Sequence, residues 1–163
     1  MSETNGAGRD GTGRKRSLAK GLVAGLIGGL AGTVAKTFAE RMFSPRTHGA
    51  AKAEELAAER VAGHALAPAG RAAAAQGIRW GFGAAVGAAY GALVEYFPAA
   101  SAKEGASFGL ALEGLTHEAA LPALGLAGEP EEMTAREQAS EMTSHVVYGV
   151  ATELVRGLVR RVL

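Results

Sequence analysis

The chain has 163 residues, 48% of them apolar, and no cysteine. Seventeen basic against sixteen acidic residues leave a formal net charge of +1, without the positive excess of a nucleic-acid binder. The lack of thiols excludes a disulfide framework, a thiolate nucleophile and a zinc site of the thiolate type, so any metal would need His and carboxylate ligands.

Residues 1–16 read as a disordered basic tail: "MSETNGAGRDGTG" is polar and rich in glycine, and Arg14, Lys15 and Arg16 follow it. A first helix is expected at 17–42, with the apolar run Gly21 to Ala35 at its centre and the breaker "SPR" at 44–46 beyond it. Residues 50–66 alternate charge with alanine before Pro68 and predict an amphipathic helix in the first loop. A second long helix is expected at 72–97, stopped by Pro98, and a third at 103–121, stopped by Pro122. An acidic loop, 129–137, leads to a fourth at 140–161, with Ser140 as its N-cap and a basic end. The expected fold is all-α, a four-helix transmembrane bundle with the additional loop helix, and 17–163 form a single helical membrane domain.

Glycine placement supports a membrane. Gly21, Gly25 and Gly29 recur every fourth residue, as do Gly28 and Gly32, and then Gly83, Gly87 and Gly91. An ordinary helix loses about 1 kcal/mol at each such glycine, whereas membrane helices use small residues at this spacing to bring backbones together. Against this, the uncharged runs 21–35 and 80–94 are shorter than the roughly 20 residues that span hydrocarbon. Snorkelling of Lys20, Lys36, Arg79 and Glu95 would extend them. The basic amino-terminal flank and Arg156, Arg160 and Arg161 place both termini in the cytoplasm, while Arg41, Arg46, Lys52, Arg60 and Arg71 in the first loop oppose that orientation. A cleavable signal peptide is the rival for the first segment.

In "SEMTSHVVYGVATELVRG", residues 140–157, a helical projection gathers Glu141, His145, Tyr148, Thr152 and Arg156 in one stripe, with Glu153 at its rim. Together with "EYFP" at 95–98, "GASFG" at 105–109, "PALGL" at 122–126, and "VAKTFAE" and "SPR" near helix one, this segment resembles the YagU-like family of small bacterial inner-membrane proteins. The resemblance covers about residues 20–160. It implies an integral protein of the bacterial inner membrane with no assigned activity and the lipid bilayer as partner. Lys36, Glu40, Glu95, His117, Glu141, His145, Glu153 and Arg156 match the family pattern; Glu113, Glu118 and the low aromatic content depart from it.

With alternating helix directions, Lys36, Glu40, His117, Glu141 and His145 share one depth as a buried polar cluster, and Glu95, Glu153 and Arg156 form a second polar layer toward the cytoplasm. Buried His and carboxylate groups in a membrane form proton relays and ion sites, so the expected function is proton- or ion-responsive. The alternatives are a scaffold subunit that packs through its glycine faces against another copy or another helix, and a His/carboxylate metal-binding bundle. The last is disfavoured because Glu113/His117 and Glu141/His145 lie four apart where di-iron bundles use three. No nucleophile, base and orienter come together in local pattern, so no catalytic residue, metal ligand or cofactor is assigned, an enzyme is not the favoured reading, and nucleic acid is not an expected partner.

Overall fold

The computed structural model describes residues 15–43, 53–126 and 134–163, and every element in them is helical. The tail as far as residue 14, the "SPR" breaker, residues 50–52 of the loop helix and residues 129–133 of the acidic loop lie outside the described residues.

Helix α1, Leu18–Met42, starts at Ser17, whose side chain accepts the N–H of Lys20. It is the one described helix long and apolar enough, by length and composition, to cross a membrane. Helix α2, Ala53–Ala62, opens on Glu54 and Glu55 and closes on Arg60, each charge placed to favour the helix dipole. Helix α3, Pro68–Tyr96, begins before the expected residue 72. Pro68, which follows the loop helix in the sequence, opens this helix, where its missing N–H costs nothing.

The expected helix 103–121 is corrected into four pieces. A tight 3-10 segment, Pro98–Gly105, carries left-handed backbone at Lys103, Glu104 and Gly105, with φ of 53°, 55° and 85°. Helix α4, Ala106–Glu113, then runs into a π-helical stretch, Gly114–Ala120, and the single turn α5, Leu121–Ala123. Helix α6, Ala135–Val162, starts ahead of the expected residue 140 because Thr134 and Glu137 form a reciprocal capping box. Ser140 donates instead to the carbonyl of Phe43 (2.6 Å), covering the end of α1.

Helix α1 is the centre of the bundle and packs antiparallel on α3 and on α6; α4 packs antiparallel on α6, and α2 lies on α3. Close approach explains the glycines. A Cβ on Gly87 would stand 2.5 Å from Cα of Gly29, and one on Gly29 would stand 2.8 Å from Cα of Gly87, so α1 and α3 touch backbone to backbone. The other face of α1 presents Gly28 and Gly32 to Tyr148, Thr152 and Arg156 of α6, and Gly109 lies against Gly149.

Burial runs opposite to that of a water-soluble bundle. Glu95, Glu113, Glu141, Ser144, His145, Thr152, Arg156 and Arg160 are buried, while Leu22, Val23, Leu26, Ile27, Val34 and Phe38 of α1, Phe82 and Leu93 of α3, and Leu154 and Leu158 of α6 are exposed. The first and last described residues, Lys15 and Leu163, lie at one end of the bundle. There Lys20 meets the carbonyl of Leu163, and Arg160 donates to that of Lys15 (3.1 Å).

Candidate functional site

The five residues expected at one depth meet at the end of the bundle away from the termini. Lys36 and Glu40, one turn apart on α1, form an ion pair at 2.9 Å. The same ammonium donates to Ser144 Oγ (2.6 Å) and lies 3.4 Å from His145 Nδ1 and 3.5 Å from Glu141 Oε2. Glu141 Oε2 stands 3.7 Å from His117 Nε2 and 3.8 Å from His145 Nδ1, and the two imidazoles meet edge to face with centroids 4.8 Å apart. Helices α1 and α6 and the π-helical stretch thus supply this group together.

The π-helical stretch matters to His117. The residue lies within the π-helical stretch Gly114–Ala120, a local widening of the helix of the kind often found at functional sites. Thr116 stands beside its ring: Oγ1 donates to the carbonyl of Leu112 (2.6 Å) and is 3.0 Å from His117 Nδ1, and Nε2 is on the side of Glu141.

The cluster is open on one side. It forms part of the wall of a cavity of about 510 Å³ that is also bounded by Thr33, Phe82, Leu112, Leu121 and Tyr148, with Ala53, Glu54 and Ala57 of α2 over it. Arg79, absent from the sequence-based cluster, reaches in from α3 to pair with Glu40 and lies 3.6 Å from Glu54. No local spacing links residues 40 and 79; the signal for Arg79 was only its place at the end of an apolar run, which suggests snorkelling as readily as pairing.

The expected second layer divides in two. Glu153 holds Arg156 through two hydrogen bonds (2.6 and 2.7 Å) and accepts the Tyr90 hydroxyl (2.9 Å). Glu95 pairs with Arg160, whose Nε donates at 2.8 Å, and accepts the N–H of Ser17 (2.7 Å). Arg160 was read in the sequence only as an orientation signal, and Tyr90 was not singled out. Among the other histidines, His64 is exposed and near its own neighbour's carbonyl, and His48 lies outside the described residues. Glu113 is buried and Glu118 exposed.

The family described as a protein of unknown function, DUF1440, matches residues 30–154. The chain belongs to that family. DUF1440 is the family also called YagU-like, so the resemblance read from the sequence holds, over a narrower stretch than residues 20–160. The DUF1440 match takes in Lys36, Glu40, Glu95, His117, Glu141, His145 and Glu153 and stops short of Arg156. No curated protein and no solved structure matches the chain.

Proposed function

We propose that this DUF1440 protein is a four-helix protein of the bacterial inner membrane, with both termini cytoplasmic, in which the Lys36, Glu40, His117, Glu141 and His145 cluster takes up a cation from the opposite side. The observation that carries the reading is the cavity: the buried cluster faces open space rather than being sealed among the helices. A cluster kept only to fix helix packing gains nothing from such access, because unfilled space beside charged groups neither packs nor pairs.

The membrane part is supported by the distribution of side chains. Large apolar residues on the outside and ionisable ones inside suit a lipid surround, where exposed Leu, Ile and Phe need no cover and charges must face protein or a watery cavity. The scaffold alternative loses the surfaces it needs, since the glycines at 21, 25, 29, 83, 87 and 91 are occupied by one another within the chain.

The absence of native cysteine makes accessibility testable. Single cysteines at Leu121 and Thr37, both on the cavity wall, should react with a membrane-impermeant thiol reagent added to the outside of spheroplasts, and not when it is added to inverted vesicles. Cysteine at Thr152, which is fully buried between α1 and α6, should stay unreactive from both sides. Protection of Leu121→Cys and Thr37→Cys from both sides would mean a closed bundle and would remove the reading.

A further inference from the structure

We propose that His117, Glu141 and His145 form a three-ligand site for a divalent transition-metal ion of the zinc class, with Lys36 as a neighbouring cation that the metal pushes aside. The inference rests on the reading of the cluster as a cation site, and names the cation.

One donor atom from each of the three residues lies within 4.8 Å of the others. Around a tetrahedral zinc ion the metal–ligand bonds of about 2.0–2.2 Å put donor atoms roughly 3.3–3.5 Å apart. Glu141 Oε2 is already within a few tenths of an ångström of that spacing from one nitrogen of each histidine. His145 Nδ1 also lies 3.0 Å from the carbonyl of Glu141, so ligation by His145 takes a turn of its ring that frees this nitrogen or presents Nε2.

The electrostatics ask for a cation at this point. Glu141 is 5% exposed, and its Oε2 has no hydrogen-bond partner. A buried carboxylate oxygen in that state is costly. Nε2 of His117 stands 3.7 Å from it. A metal ion between the two would be bound by both. The Thr116 contact is also the kind of support that orients a ligating histidine.

The Lys36 ammonium does not already fill this role. At 3.5 Å it is outside hydrogen-bond reach of Oε2 under good geometry, and its strong contacts go to Ser144 and Glu40. Entry of a divalent ion would push it fully toward Glu40. Two imidazoles and one carboxylate select zinc, cobalt or nickel over calcium and magnesium, which take oxygen ligands. The cavity side leaves a fourth position for water.

The test uses the full chain, stripped of metal and placed in nanodiscs, titrated with cobalt(II) and read by its visible d–d absorption. One equivalent should bind with the intensity of a four- or five-coordinate ion and be displaced by zinc. Glu141→Gln and His117→Gln should each weaken binding by about 10- to 100-fold or abolish it. Lys36→Met should bind about tenfold more tightly or better, because it removes a positive charge beside the ligands. That gain is the outcome a purely structural role for the cluster would not produce, and it does not depend on the ligand variants folding. Absence of stoichiometric cobalt uptake, uptake unchanged in both ligand variants, or weaker binding in Lys36→Met would overturn the proposal. Thiol labelling of the cavity together with no cobalt binding removes the metal alone; no labelling removes the cation reading as well.

Discussion

Glu95 and Arg160 show how much depends on one partner being in place. Both side chains are almost fully covered, the guanidinium donates to the carboxylate from two nitrogens, and the carboxylate also holds the Ser17 N–H at the start of α1. Breaking a buried ion pair by removing one partner costs about 3–5 kcal/mol, whereas replacing both with apolar groups of similar volume is often neutral. Arg160→Ala should therefore lower the midpoint of thermal aggregation in detergent sharply, and Glu95→Met with Arg160→Met should recover most of the loss. If the double variant is no better than the single one, the pair contributes something other than charge compensation. At this scale the sequence was informative where partners sit one helical turn apart, as with Lys36 and Glu40 or Glu141 and His145. Helix direction placed Lys36, His117 and Glu141 at one depth, but the sequence was silent on the cross-helix pairs Arg79 with Glu40 and Arg160 with Glu95, because nothing local to either residue encodes the pairing.

The helices repeat this contrast. Glycine spacing on α1 and α3 was legible because an every-fourth-residue repeat of a poor helix former has few physical causes, and close backbone approach is one. The break before α4 was not legible: Lys103 and Glu104 adopt left-handed backbone that residues with a Cβ seldom take, so their identities carried no warning. The π-helical stretch around His117 was equally hidden, since "GLTHEAA" suits an α-helix as well. Two glycines of α3 separate packing from composition. Gly87→Ala would set a Cβ 2.5 Å from Cα of Gly29, a backbone atom that cannot swing aside, and should cost about 2 kcal/mol or more. Gly81→Ala meets nothing within 4 Å and should stabilise the helix by up to about 1 kcal/mol. On α1, Leu22→Ala at an outward position should change stability by less than about 0.5 kcal/mol in detergent. The same ordering should appear in thermal melts; equal effects at positions 81 and 87 would show that α1 and α3 do not meet as described.

For the molecule as a whole, the alternating helices bear on the short apolar runs that counted against a membrane in the sequence. Lys36, Arg79 and Glu95 end those runs in the chain, yet in space they turn inward to Glu40, Glu141 and Arg160, so their helices keep an apolar outer surface beyond them. A helix of 25 residues such as α1 is about 37 Å long, enough to cross roughly 30 Å of hydrocarbon once its charges are sheltered. The proposed orientation rests on Arg16, Lys20 and Arg161, exposed beside the described ends, since basic residues next to spans stay on the cytoplasmic side; Arg41, Arg60 and Arg136, exposed at the other end, oppose it. Reporter fusions at residue 163 and ahead of residue 15 should both read cytoplasmic, and the chain should remain in the membrane fraction through high salt and alkaline carbonate. Because the contacts of Lys20 with Leu163 and of Arg160 with Lys15 bring the two ends together, fusions reporting opposite sides would contradict the bundle itself, whereas both reporting the periplasm would reverse its orientation and leave the fold intact.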